Sequence, residues 1–432
     1  MASGWSRSIL VDGIRLLIKR ISIITGERWI NLIDFSFTEE QDLFREAVRE
    51  WLAKNLPMER VRQNDTNHAL GKDLIRGLGD LGLLCMTLPE DHGGAGADWV
   101  TATIAAEELG YADISVSLPV FFLVQASWGF VVDKYCQDVV RDICLRRAAR
   151  GEGFIGIGVT EPGGGSDVSG FRTTFEKGDG HWKLNGEKTY ISGTHECQQI
   201  GGGYFVTGFN DRAQGHRGMT ATYLPLDLEG VKVAKRFDNY GRMAISTGGF
   251  KMTDVKVPEE YQLGETGRGF YLTMEGFDAA RVLVSASCIG AAERAMEIGM
   301  EYIKERNVFG QPIAKYQGVQ FDLAEMVAHH EAIKMLIYRT AWMMDQKYQH
   351  GTFTPLEVSK YLSMCKYLAP HHALDTFRRV MLWMGAYGYT KECPLEMGIR
   401  GVMSYCIGAE GAANIQKIVI ARETLGREWT RR

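Results

Sequence analysis

The feature that most constrains this chain is a double change of hydrophobic period. The pattern is helical up to about residue 153, alternating from about 154 to 262, and helical again from Gly267. A period of 3.6 buries one stripe of a helix and a period of 2 buries one face of a strand, so these three stretches cannot share one uniform layer. In the first, LFREAVREWLAKNL, DLIRGLGDLGLL and WVTATIAAEELG have helical spacing, and LPEDHGGAGAD supplies the punctuation of a loop. The second opens on the apolar strand FIGI and continues through TTFEKGDGHWKLNGEKTYIS, GYFVTGF, MTATYLPL, VKVAKRF and GGFKMTDVKVP, with Asp-Gly and Asn-Gly as turn signals. The third carries a helix stripe at 284, 288, 291, 295, 298 and 302, and two more helical patterns follow it. Pro370 is expected to kink or divide the last of these. Met326, Met335, Met343 and Met344 read as core filling. The class is therefore α+β: a helical bundle over 34–153, an antiparallel β domain over 154–265 and a second helical domain over 266–432.

Composition narrows the function classes. The 432 residues are 45% hydrophobic and 24% charged with a net charge of −4, ordinary for a water-soluble chain and wrong in sign for a nucleic-acid partner. The eight cysteines include no CxxC pair, which points to free thiols in a reducing, cytoplasmic setting and to no metal framework. His329-His330 lacks the HExxH spacing that places two imidazoles on one helix face.

Residues 1–33 stand apart, with Arg7, Arg15, Lys19, Arg20 and Arg28 against Asp12 and Glu27. The basic, amphipathic profile suits a targeting peptide or a membrane-surface helix, or upstream sequence ahead of the first capped helix. No apolar run there reaches the roughly 20 residues that span a bilayer. A Thr-x-x-Gln capping box at Thr38 marks where the first helix begins.

The border between the first two stretches reads GVTEPGGGSDV, from Gly158 to Val168. Gly163, Gly164 and Gly165 can adopt positive φ and turn N–H groups toward a phosphate or carbonyl, and Thr160 and Ser166 would add hydroxyls. An ordinary loop after a strand is the plainer alternative.

From about Asp34 onward the chain resembles the acyl-CoA dehydrogenase family. The matching segments, in the family's order, are GVTEPGGGSDV, LNGEKTYISG (184–193), DVKVPEE (from 254), ERNVFGQPIAKYQ (305–317) and AEGAANIQKIVIARETLG (409–426). The resemblance implies a C-terminal four-helix bundle, FAD as cofactor, an acyl-CoA thioester as substrate, an electron-transfer flavoprotein as acceptor and a homo-oligomer, by family habit a tetramer. It implies that Val159 and Thr160 meet the flavin pyrimidine edge, that Ser166 reaches the cofactor or CoA phosphates, and that Tyr190 and Ser192 lie at the isoalloxazine. Tyr190 would otherwise be an ordinary strand aromatic. Arg306 and Phe309 would serve the FAD of a neighbouring subunit and Gln317 would also bind the cofactor, although Arg306 also suits a helix C-terminus on charge alone.

Glu410 matches the family's catalytic base, which takes the α-proton while the β-hydrogen leaves as hydride. Its backbone N–H would help to hold the thioester oxygen. Its side chain could instead cap the helix that follows. Ala280 stands where some relatives carry a second glutamate, Arg281 matches an arginine near the base, and Asp113 is an alternative acid that otherwise reads as a helix-end residue. Departures from the family are Tyr190 for Trp, Leu382 near a Gln, Gly401 for Asp, Ala412 for Thr, and one extra residue between Arg400 and Glu410. Ala409 replaces the bulky aromatic that precedes the base in enzymes of straight chains, which implies a roomier acyl site. An acyl-CoA oxidase and a non-catalytic binding subunit are the alternatives within the fold.

A chain begun at Asp34 is expected to fold and keep its cofactor; failure to fold, or loss of a localisation that the full chain shows, refutes this.

Overall fold

The computed structural model describes residues 36–430, so the expectations for residues 1–33 lie outside the described residues. Two units are distinguished, one through Phe44 and one from Arg45 onward. In the first, Thr38 N–H donates to Gln41 Oε1 and Gln41 N–H to Thr38 Oγ1, both at 3.2 Å, which is the capping box read from sequence. It opens helix α1 (Glu39–Asn55).

In the second unit, α2 (Met58–Asn67) and α3 (Lys72–Asp80) precede two largely apolar helices, α4 (Trp99–Ala112), whose Glu107 and Glu108 are ion-paired, and α5 (Ser117–Tyr135). Such helices are stable only when enclosed, and most residues of both are buried. The Asp98 carboxylate caps α4 by accepting from Thr101 N–H at 2.7 Å. Asp113 shapes the turn into α5: Oδ1 accepts from Ser115 N–H (3.0 Å) and Oγ–H (2.6 Å), and Oδ2 from Leu118 N–H (2.7 Å).

The strands follow the alternating segments closely: β1 (Phe154–Gly158), β2 (Thr174–Lys177), β3 (His181–Ser192), β4 (Gly202–Phe209), β5 (Met219–Pro225), β6 (Val231–Val233), β7 (Thr247–Pro258) and the short β8 (Gln262–Leu263). A seven-residue helix α6 (Thr194–Ile200) joins β3 to β4. The sheet runs β6-β7-β3-β2-β4-β5-β8, with β1 beside β4. It is mostly antiparallel, but β1 pairs parallel to β4, Phe154 opposite Gly202, and β2 touches β4 in parallel at Thr174. Asp179-Gly180 makes the β2–β3 turn as expected, with Gly180 at φ 67°. Asn185-Gly186 does not turn: it is an irregularity inside β3, where the register against β7 shifts between Leu184 and Gly186.

The last stretch holds α7 (Gly269–Glu305), α8 (Gln317–Asp345), α9 (Pro355–Met384), α10 (Leu395–Ile407) and α11 (Ala413–Leu425), with α9 packed against the other four. A small hairpin, β9 (Asn307–Val308) and β10 (Gln311–Pro312), links α7 to α8. Pro370 does not divide α9, which continues through it with the ring buried among its neighbours. Met326, Met343 and Met344 are core, whereas Met335 is 42% exposed and is not. Helices α4 and α7 cross with their backbones in contact, since a Cβ on Gly110 would lie 2.0 Å from Ser287 O and one on Gly290 would lie 1.9 Å from Glu107 O.

One ion pair fixes the border loop to the sheet. Lys188 is fully buried on β3 and donates to Glu161 Oε1 (2.8 Å), Val159 O (3.2 Å) and Thr207 O (2.9 Å). Glu161 also accepts from the backbone of Arg172, and from Thr173 N–H at 3.1 Å and Thr173 Oγ–H at 2.6 Å. Burial pulls the Lys188 ammonium down to about 8, against the upward pull of Glu161. Burial pushes the Glu161 carboxyl up, but Lys188 and the hydrogen bonds outweigh it and hold the group below its ordinary value.

Removing one partner of such a pair strands the other charge, so Lys188→Met is expected to destabilise by about 3–5 kcal/mol in denaturant unfolding. Adding Glu161→Gln is expected to recover part of that loss; a single variant as stable as the parent refutes the assignment.

Candidate active site

Three groups of the residues singled out above are placed separately. The first lies where β1 leaves the sheet. Val159 is buried, Thr160 is half-buried and Ser166 is exposed, and Thr189 N–H donates to Thr160 O at 2.9 Å, tying the loop to β3. Gly163, Gly164 and Gly165 do not adopt positive φ, contrary to the reason given for them. Their role here is space: a Cβ on Gly163 or Gly164 would meet nothing within 4 Å. Tyr190 sits at φ 56° where the β3–β7 register shifts again, between Thr189 and Ile191. A bulge re-aims one side chain, and Tyr190 is accordingly 66% exposed with its ring stacked 4.8 Å from that of Phe237. Ser192 is half-buried, and its carbonyl accepts from Tyr204 Oη–H at 3.0 Å.

The second group is on the outer surface. Arg306 follows the last turn of α7, Phe309 is 98% exposed at the hairpin tip with φ 49°, and Gln317 begins α8, exposed. Among the described residues no carboxylate pairs with Arg306. Leu382, on α9, is 67% exposed.

The third group centres on the turn between α10 and α11. Ala409, Glu410 and Gly411 have φ of 47°, 52° and 104°, a run of left-handed residues of which two carry side chains. Each non-glycine residue in this region costs about 1–3 kcal/mol and persists only where its surroundings over-determine it. The surroundings are side chains from three helices that grip the turn's carbonyls. Arg281 Nε–H on α7 donates to Glu410 O at 3.1 Å, and Gln416 Nε2–H on α11 donates to Glu410 O at 3.2 Å and Gly411 O at 3.1 Å. Lys366 Nζ on α9 donates to Tyr405 O, Gly408 O and Gly411 O at 2.5, 3.3 and 3.4 Å. Arg281 is steadied in turn by Asp278 at 2.6 Å.

The Glu410 side chain is 9% exposed, and Oε2 is buried without a partner. Burial holds its carboxyl above the ordinary range, opposed by the charges of Lys366, Arg242 and Arg281. It does not cap α11, whose first turn follows Ala412 with no side-chain cap. Tyr405 Oη, Gln416 Oε1 and Arg242 Nε are likewise buried and unpartnered, and the Arg242 guanidinium lies 5.8 Å from the Tyr405 ring. Buried polar atoms are normally satisfied, and such a cluster beside a buried carboxylate has hydrogen-bonding groups to offer a bound molecule. Asp113 has no such freedom, being consumed by its turn. Gly401 is packed so closely that a Cβ would lie 2.2 Å from Ser115 O, which excludes an aspartate in this arrangement.

Sequence reasoning passed over Lys188, Lys366, Arg242 and Gln416. For Lys188 a signal existed, since it continues the inward alternation of Trp182 and Leu184. For Lys366 the signal is a cation between the buried Leu362 and Ala369 on one helix face.

Three family models match in series: the acyl-CoA dehydrogenase N-terminal domain over 38–152, the middle domain over 156–255 and the C-terminal domain over 267–425. Glutaryl-CoA dehydrogenase of Desulfococcus multivorans is 30% identical over 400 residues, covering 91% of this chain and 98% of the relative. The caffeyl-CoA reductase–Etf complex subunit of Acetobacterium woodii is 29% identical over 393 residues, 89% and 98% of the two chains. The structure of butyryl-CoA dehydrogenase from Megasphaera elsdenii is similar with a TM-score of 0.83 at 29% identity, over 91% of this chain and all of that one (100%). With matching models across its helical, sheet and helical parts, and with Glu410 presented on the turn before α11, the chain belongs to the acyl-CoA dehydrogenase family of FAD-dependent oxidoreductases.

Proposed function

We propose that this protein carries out α,β-dehydrogenation of an acyl-CoA thioester with Glu410 as the base. The observation that carries this reading is a buried carboxylate with one unpartnered oxygen, held above its ordinary pKa on a turn gripped from three helices. Glu410 Oε2 takes the α-proton. Bound FAD supplies the acceptor for the β-hydrogen, which leaves with its electron pair. No backbone acceptor among the described residues engages Glu410 N–H, leaving it available to the thioester oxygen as enolate charge develops. Val159, Thr160 and Ser166 beside the open glycine loop, with Tyr190 and Ser192, would hold the flavin. Arg306 and Phe309 would reach a neighbouring copy's cofactor in a homo-oligomer, and Gln317 would also bind the cofactor.

For the acyl group we propose a branched, alicyclic or aromatic chain. Ala409 puts only a methyl group before the base, and a Cβ on Gly408 would meet nothing within 4 Å, so the wall beside Glu410 is thin. The caffeyl-CoA reductase relative gives further support, and its Etf complex supports an electron-transfer flavoprotein as acceptor. All eight cysteines are free, in keeping with a cytoplasmic setting, and among the described residues no helix is long and apolar enough to cross a membrane.

Glu410→Gln is expected to leave FAD content and folding nearly intact and to abolish anaerobic bleaching of the flavin by acyl-CoA; more than a few per cent of residual turnover means another base. In the unmodified enzyme the bleaching rate is expected to rise with pH as the carboxyl with raised pKa ionises, and then level off; a flat profile contradicts Glu410 as the titrating base.

Across cyclohexanecarboxyl-, phenylpropionyl-, isobutyryl- and octanoyl-CoA, kcat/KM should favour the bulky groups, since each newly buried methylene contributes about 0.8 kcal/mol. Octanoyl-CoA as best substrate ends the pocket argument and leaves the dehydrogenation reading standing. Faster reoxidation by oxygen than by electron-transfer flavoprotein would favour an oxidase, and no bleaching with any thioester a binding subunit.

A further inference from the structure

The ammonium of Lys366 is almost wholly enclosed, yet it is spent on backbone carbonyls rather than on a carboxylate. We propose that Lys366 is a positioning residue for Glu410: by binding the carbonyl end of α10 and the far side of the next turn, it fixes the backbone from which the base projects. The inference rests on the reading of Glu410 as the base.

The stereochemistry is that of a helix terminus. The last carbonyls of α10 have no partners within the helix, and the negative end of its dipole favours a cation. Tyr405 lies in that last turn, and Gly408 is the first residue beyond it. A Lys ammonium has three donors, and here they meet the three carbonyls of Tyr405, Gly408 and Gly411. Arg281 and Gln416 grip only Glu410 and Gly411. Lys366 alone among these three reaches carbonyls on both sides of Glu410, and so sets the span that the left-handed run must bridge.

The clamp has an electrostatic consequence. The charged groups that act on Glu410 are Lys366 from α9, Arg281 from α7 and Arg242 from the loop before β7. The titratable groups that face Lys366 are Glu410 and the neutral thiols of Cys288 on α7 and Cys406 on α10, beside the Arg281 guanidinium of α7. Burial pulls the Lys366 ammonium below its ordinary value and Glu410 pulls it back up, while Lys366 is foremost among the cations that ease ionisation of Glu410. Taking away the charge therefore makes the carboxyl harder to ionise, and the pH at which the base becomes competent moves upward.

The test uses the holoenzyme with Lys366→Gln, Lys366→Met and Glu410→Gln, reading the pH profile of anaerobic flavin bleaching, FAD content, and amide hydrogen exchange over 405–412 without substrate. Lys366→Met is expected to lose bleaching rate on the order of 10²-fold, the scale of a small misplacement of a catalytic group. It should also speed exchange at 409–411 and move the pH midpoint upward. Lys366→Gln keeps two donors without the charge, and should move the midpoint upward with less change in exchange. A variant that keeps FAD with unchanged midpoint and unchanged exchange overturns the proposal, as does failure of both variants to fold, which would make Lys366 purely structural. Activity surviving in Glu410→Gln would instead remove the base reading itself; an inactive Glu410→Gln beside unchanged Lys366 variants removes this inference alone.

Discussion

The Lys188–Glu161 pair is the interaction on which the placement of the central domain's edge depends. An ammonium and a carboxylate removed from water are tolerable only when each finds its partner and its remaining hydrogen bonds, and this pair also engages carbonyls or amides from Val159 just after β1, from β4 and from the segment before β2. The loop between β1 and β2 is therefore held through its third residue, whose side chain pairs with Lys188 and whose backbone pairs with Gly164. Gly164 exchanges both backbone hydrogen bonds with Glu161, N–H to O at 3.0 and 3.1 Å, so the tight turn is closed on itself while the space over Gly163 and Gly164 stays open beside Thr160.

The same device recurs. Asp345, at the end of α8, accepts from the first two amides of α4, Trp99 N–H at 2.7 Å and Val100 N–H at 3.2 Å, while burial raises its carboxyl to about 7. Asp113 serves α5 in the same manner, and Lys366 serves the opposite pole of α10. Largely apolar helices are little oriented by amphipathic faces, because most of each face is content inside. Charged side chains at their ends supply the missing direction, and the close crossing at Gly110 and Gly290 supplies the missing depth.

Most of the architecture was legible because period is a local property. Strand segments from TTFEK to KVP and the helices around Val284 follow from residues that are neighbours in sequence. What was not legible is long-range or conformational. Parallel pairing of β1 with β4 leaves no mark on the alternation of either strand. Asn185-Gly186 signals a departure from regular backbone without saying whether it is a turn or a bulge. At the site, the identity of Glu410 and the nearness of Arg281 came from resemblance, whereas the left-handed run through Ala409 and Glu410 has no signature, since neither residue type favours that region. The buried lysines were visible as charges in apolar patterns, but their partners are carbonyls, which every residue carries.

Gly401 couples α10 to the turn before α5. With its Cα pressed against the Ser115 carbonyl, in the turn that Asp113 organises, the position has no room for even a methyl group. A carboxylate there, as the resemblance would have it, fits only if that turn retreats, taking the start of α5 with it. The contact therefore works as a spacer of zero thickness: any side chain at 401 would be read out as a displaced start of α5, so the helix that leads to Glu410 and the turn that Asp113 builds keep a fixed separation.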